Sequence, residues 1–314
     1  MRLALTGIGL AVADLDIIQL KESSLTGKTY QPQNGKTDTA DLNNYFPPRK
    51  LRRVDHFTRM TMLAACRALH DHTGTIQEDP KTPLPQPEEM GIILSTGYGP
   101  SETIFDFLDS IIDHGPSCAS PLAFSHSVHN IPAATLSLFL SSESPYTTLC
   151  QTHAPLVSAL NTAACWINEK RVKKVLLGLV DEKTPLLENN TERILNNKKS
   201  SIHIPIGEGA VFFLLSAPDQ SEDAKYGTLE FKTVIPDALT KNMLPHGVFT
   251  PQRSIKKLKK HGIKPHTSIN ADMPTAAGIE LAAAASYAKK NTQAMCIERA
   301  GMNYGLIKIK TDQS

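Results

Sequence analysis

The sequence predicts an α/β protein, and three observations predict it. Short apolar runs of strand length alternate with longer stretches whose apolar residues recur at helical spacing. The strand-like runs GIILS and YTTLC each meet a glycine turn or a cap residue and then a helix-like run. The chain has 314 residues, enough to bury a substantial core in one large unit or two small ones.

The elements follow in order. Leu3–Leu10 reads as a first, buried strand; one arginine, a short apolar run and then Asp14 and Asp16 do not make a signal peptide. Residues 20–50 are polar and turn-rich, and read as a long surface excursion. After the basic run Arg49, Lys50, Arg52 and Arg53, the helix Val54–His72 places Phe57, Met60, Leu63, Ala64, Ala68 and Leu69 on one face. Pro80–Pro87 reads as a proline-rich link. Gly91–Ser95 is a strand ending in TGYG, where glycine permits a tight turn. Helices are expected at Thr103–Ile112 and Ile131–Leu140, a strand at Tyr146–Gln151, and a helix at Leu156–Ile167 behind Pro155. A strand at Lys174–Leu179 precedes a polar loop, Thr184–Ser201. Strands at Gly209–Leu215 and Gly227–Val234, a basic helix Arg253–His261, an alanine-rich helix Thr275–Lys289 and a strand Gly305–Ile309 complete the chain.

Composition excludes several classes. Lys+Arg number 33 and Asp+Glu 31, so nothing suggests a nucleic-acid partner. The five cysteines have neither CxxC nor zinc spacing, which fits reduced thiols and a cytoplasmic location. No apolar stretch reaches membrane-spanning length. The phosphate-loop, dinucleotide, HExxH and GxSxG patterns are missing, so neither a cofactor nor a metal is expected.

A set of motifs in a fixed order resembles the β-ketoacyl-ACP synthases of the thiolase fold. They are the opening LALTGIGL, the helix RRVDHFTRMTMLAACRALHDHTG, the turn TGYG, Gly115-Pro116, Ser144-Pro145, the strand IGEGAVFFLL, the helix AAGIELAAAASYA and the closing GMNYGLIKI. The resemblance implies a single thiolase-like unit over 1–314, with two pseudo-repeated halves layered α/β/α/β/α. The halves would fall at about 1–215, with long loops at 20–50 and 180–202, and at 216–314, a reduced C-terminal half.

Chemistry in that family uses a cysteine at a strand-to-helix elbow and two histidines. The elbow thiol attacks an acyl thioester, its pKa lowered by the helix N-terminus and its oxyanion held by backbone N–H groups. Counting from Asn130 and Pro145 forward, and from Ala163-Ala164 backward, His153 falls at the elbow. Cys150 lies three residues earlier, roughly 10 Å along the strand and out of reach of the helix N-terminus. It reads as a buried small apolar residue, inert to thiol-directed acylation. No HGTGT-like motif lies between Val234 and Ser268; His246 reads as a loop residue and His266 has no motif around it. Counting back from Ala276-Ala277-Gly278 puts Asp272 at the second histidine and Thr267 at the lysine of that motif. Arg299 stands where the family has a gating phenylalanine.

His153, Asp272 and Arg299 are therefore expected together as a polar cluster in a vacated pocket. The resemblance is closest to the chain-length factors of type II polyketide and aryl-polyene systems. It implies a non-catalytic subunit that pairs with an active ketosynthase as a heterodimer, works with acyl carrier protein, and shapes the partner's acyl tunnel. The matching tunnel and interface positions are Tyr98, Leu122, Ala123, Phe124, Tyr146 and Thr148. Each methylene of tunnel room is worth ~0.8 kcal/mol, enough to select chain length; ordinary interface packing is the plainer role for these side chains. Two other readings remain: an enzyme acting on acyl thioesters through Cys150 or a His153/Asp272 pair, and a homodimeric acyl-binding scaffold.

Overall fold

In the computed structural model, residues 1–32, 36–74, 84, 88–197, 205–218, 224–240 and 244–311 are described. In chain order the elements are β1 (Arg2–Val12), α1 (Ile17–Thr26), α2 (Pro48–Leu51), α3 (His56–Thr73), β2 (Met90–Thr96), α4 (Ser101–His114), α5 (Pro121–Ser127), α6 (Ile131–Phe139), β3 (Tyr146–Cys150), α7 (Pro155–Asn168), β4 (Lys174–Asp181), α8 (Pro185–Asn197) and β5 (Gly209–Ser216). Then come β6 (Thr228–Val234), β7 (Val248–Phe249), α9 (Gln252–Lys260), α10 (Ala276–Asn291), β8 (Gln293–Ala300) and β9 (Asn303–Lys310).

Among the described residues the strands order as β3-β2-β4-β5-β1-β6-β9-β8-β7. The order mirrors itself about the β1–β6 seam, which consists of Arg2, Leu3 and Ala4 paired with Glu230, Leu229 and Thr228. On each side the pairing senses repeat. β1 with β5 and β5 with β4 are antiparallel, as are β6 with β9 and β9 with β8. β4 with β2 is parallel, as is β8 with β7. β2 pairs in parallel with β3; its counterpart β7 has only the parallel bridge Phe249–His266. The helices α7 and α10, each following one of these outermost segments, share one buried apolar cluster with the inner faces of both halves. α3 and α6 cover the outer face of the first half, and α9, through Leu258, that of the second. The layers are α/β/α/β/α, as expected from the sequence.

Close approach makes the central layers possible. A Cβ on Gly278 of α10 would lie 2.5 Å from Val211 Cγ1 of β5. On Gly305 of β9 it would run into Val157 of α7. The alanines at 282–285 keep the rest of α10 equally slim.

Several expectations need correction. The excursion at 20–50 contains α1, closed by Gly27 at φ 74°. Its start is a capping box: Asp16 Oδ1 accepts from Gln19 N at 2.7 Å, and Gln19 Oε1 accepts from Asp16 N at 2.9 Å. The loop at 184–201 contains α8, begun by Thr184 and Pro185. The strands β7 and β8 and the short helix α5 were not anticipated as elements. Most of Pro80–Pro87 lies outside the described residues. No helix among the described residues is long and apolar enough to cross a membrane.

Replacing Gly278 by alanine should test the close packing. Helix propensity favours alanine by about 1 kcal/mol, whereas overpacking against Val211 costs about 1–3 kcal/mol. Gly278→Ala should therefore lower the urea midpoint; a raised midpoint would refute the close contact.

Candidate functional site

The C-terminal ends of β2, β3 and β4 converge, and Asp181 at the end of β4 organises them. Its Oδ1 accepts from Gly97 N at 2.9 Å, Tyr98 N at 3.1 Å and Thr96 Oγ1 at 3.1 Å. Its Oδ2 accepts from Thr275 N at 3.0 Å, just before α10. The side chain is buried, and burial pushes its carboxyl up against the opposing pull of these donors. The glycine turn that follows β2 needs its glycines: Gly99 has φ 68°, and a Cβ on Gly97 would collide with Pro274. Tyr98 is thereby held at the surface, 41% exposed. Burial raises its phenol pKa, with Asp181 and Asp272 adding to the shift.

β3 runs alongside β2 to the Thr96–Cys150 pair, and Gln151 N donates to Thr96 O at 2.9 Å. The chain then turns through Ala154, a left-handed residue at φ 54° and ψ 41°, into α7 at Pro155. Gln151 Nε2 braces the turn by donating to Ala154 O at 3.0 Å. His153 is exposed on this turn, and its polar partner is Thr152, with Oγ1 3.0 Å from Nδ1.

Cys150 is exposed in the chain, not buried as expected, because β3 is the edge strand of the sheet among the described residues. Its Sγ lies 3.9 Å from Gly97 O. Partial burial and then the Asp181 charge push its thiol pKa up, the wrong direction for a nucleophile.

The remaining candidate residues each hydrogen-bond to partners of their own. Asp272 pairs through its backbone with the stretch before β5: its N–H donates to Pro205 O at 2.8 Å. Thr267 is buried, with its Oγ1 2.9 Å from Glu280 Oε1, and its carbonyl accepts from Thr29 Oγ1 at 2.9 Å. Arg299 turns back on its own hairpin, donating from Nε to Gly301 O at 2.9 Å. Among the described residues no hydrogen bond or ion pair joins His153 to Asp272 or Arg299. His246 is exposed, and His266 packs edge-on against Phe249 at 5.4 Å. The turn after β7 carries Thr250, whose Oγ1 donates to Ile297 O at 2.7 Å, and then Pro251.

Tyr98, Leu122, Phe124 and Tyr146 are all exposed, while Ala123 and Thr148 are half-buried. The Phe107 and Phe124 rings stack 5.3 Å apart, and Leu108 and Ile112 of α4 are exposed beside them in sequence.

The residues that sequence reasoning missed are buried carboxylates. Glu298 of β8 reaches the first turn of α7, accepting from Leu156 N at 3.2 Å and Val157 N at 3.0 Å. Burial raises its carboxyl to about 7, and nearby Arg253 opposes the shift. Arg253, at the start of α9, donates to Pro274 O at 3.0 Å. Glu280 accepts from Ser268 N at 2.8 and 3.0 Å. Glu208, in the GEGA motif, meets His56 Nε2 at 2.9 Å and Lys183 N at 3.1 Å. A single acid in an apolar strand or helix has no spacing pattern that would flag it; only GEGA was visible. Among the described residues no group of three or more His, Cys, Asp or Glu side chains could hold a metal ion.

Glu280 gives a pH test of this architecture. Burial raises its carboxyl to about 8. The folded chain therefore keeps this proton from the ordinary value, ~4.3, up to about 8, while the unfolded chain has lost it. Its contribution to stability falls as pH rises through that window. Glu280→Gln should lose less stability between pH 5 and pH 8 than the natural chain, by a few kcal/mol, roughly, in urea unfolding. Equal pH slopes would refute the assignment.

The comparisons with known proteins agree with this architecture. The family model described as "Beta-ketoacyl synthase, N-terminal domain" matches residues 27–197. No curated protein matches the chain. Among solved structures, a chain of "The ishigamide ketosynthase/chain length factor" aligns at TM-score 0.72 and 14% identity, covering 100% of both chains. A chain of the AntDE:AntF complex, a type II acyl-carrier protein with its ketosynthase, aligns at 0.71 and 17%, covering 99% of each. The ketosynthase ApeO with its chain length factor ApeC, from Xenorhabdus doucetiae, gives 0.61 and 13%, covering 99% of this chain and 100% of that one. At these identities the likeness is one of fold. With the family model spanning more than half its length, the chain belongs to the β-ketoacyl synthase family.

Proposed function

We propose that the chain is a non-catalytic, chain-length-factor-like subunit that pairs with an active ketosynthase and lines its acyl tunnel. The observation that carries this reading is the elbow: an exposed histidine, His153, stands where a nucleophile would sit. Cys150 lies back along β3, and burial pushes its thiol pKa up, both of which count against it as a replacement. Counting from Ala276-Ala277-Gly278 puts Asp272 at the second assisting histidine, and no HGTGT-like motif supplies the first. The elbow then lacks both the cysteine that would form an acyl-enzyme and the pair of histidines that would stabilise an enolate.

Pairing is supported by the surface. β3 has a free edge among the described residues. Tyr146 on that strand, and Leu122 and Phe124 on α5, expose apolar area that a monomer would be expected to cover. Ketosynthase–chain-length-factor complexes among the fold neighbours support a ketosynthase as the occupant. The same surface also fits a second copy, as in a homodimeric scaffold.

Co-expression with a ketosynthase from a neighbouring gene decides between these. The expected result is co-elution as a heterodimer, with condensation of malonyl-ACP only when both chains are present. Tyr98→Ala should then lengthen the products, since it adds room for several methylenes. A stable monomer, or a homodimer indifferent to the ketosynthase, would refute the pairing. Stoichiometric acylation of Cys150, or turnover by this chain alone, would refute the non-catalytic reading.

A further inference from the structure

We propose that Glu298 is an internal anion that fills the donor end of α7 and so prevents the elbow from stabilising negative charge, whatever residue stands at position 153. The proposal rests on the non-catalytic reading above and names the residue that enforces it.

The geometry is specific. Alternation along β8 points Ala294, Cys296 and Glu298 to the interior; all are buried, and Glu298 is 1% exposed. A helix offers a ligand only its first unpaired N–H groups. In α7 the first residue is Pro155, which has none. The next donors are Leu156 and Val157, and the two oxygens of Glu298 take one each, at 3.2 and 3.0 Å. Ser158 N already bonds to Ala154 O at 3.2 Å. No donor of the first turn remains for a thiolate or an oxyanion at the elbow.

The electrostatics point the same way. A bare helix N-terminus behaves as roughly half a positive charge, and it favours anions. Here Glu298 meets that charge from inside, as a carboxylate above about pH 7. Burial opposes its ionised form, while the Val157 and Leu156 N–H groups and then Arg253 favour it; the neighbouring Cys296 thiol is pushed up by burial and then by Glu280 and Glu298. An ion at position 153 would face a helix end whose charge is already neutralised.

The test uses the full chain and an introduced thiol. In His153→Cys, alkylation by iodoacetamide is followed against pH, with the elbow peptide read by mass spectrometry to separate it from the other cysteines. The thiol is expected to titrate at or above the ordinary ~8.5. Adding Glu298→Gln, which removes the charge, or Glu298→Gly, which also frees both donors, should lower that pKa by about one unit. The alkylation rate at pH 7 should then rise several-fold, approaching tenfold. A purely structural role for Glu298 would lower the thermal midpoint of these variants without moving the thiol titration. If Glu298→Gly does not fold, the isosteric Glu298→Gln decides alone. A depressed thiol pKa in His153→Cys by itself overturns the proposal, as does an unchanged one in the double variant. Neither result touches the pairing reading, which stands or falls on co-elution with a ketosynthase.

Discussion

The arrangement around the elbow depends on one buried carboxylate, Asp181. It sits where β4 ends, and it ties the turn after β2 to the residue before α10. One oxygen gathers the turn after β2, and the other holds the residue before α10. Without it, these backbone N–H groups would be left unpaired in a dry interior, at about 1–3 kcal/mol each. The position of Tyr98 and the start of α10 both follow from this contact.

The same device recurs at the other chain ends that meet in the interior. Glu298 serves the first turn of α7, Glu280 the backbone at Ser268 and Ile269, and Glu208 the neighbourhood of His56. Glu182, raised by burial to about 7, accepts from Glu102 N at 2.7 Å, at the first turn of α4. These backbone ends are satisfied from within the chain.

Much of the fold was legible because its elements carry strong periodic signals. The apolar face of α3, the all-apolar runs of β2, β4 and β5, and the alanine-rich α10 announce themselves. α1 and α8 did not: their apolar residues are sparse, and their caps, Asp16 with Gln19 and Thr184 with Pro185, are what mark them. β7 escaped because two residues cannot show an alternation. At the site, counting along β3 placed His153 on the turn into α7, but spacing says nothing of side-chain partners. Among the described residues no hydrogen bond joins His153 to Asp272 or Arg299; Arg299 donates to Gly301 O and His153 meets Thr152 Oγ1. Exposure of Cys150 depended on β3 lying at the sheet edge, which is a property of topology rather than of local sequence.

That edge has a consequence for supply. A parallel strand at the rim of a sheet, bearing Tyr146 and Cys150 outward, is a template for any chain able to add a strand to it. Under the proposed pairing, a copy released from the ribosome ahead of its partner would carry that template into a crowded solution. Its safe concentration would then be set by how fast the strand is capped, so synthesis in step with the partner would protect it better than synthesis in excess.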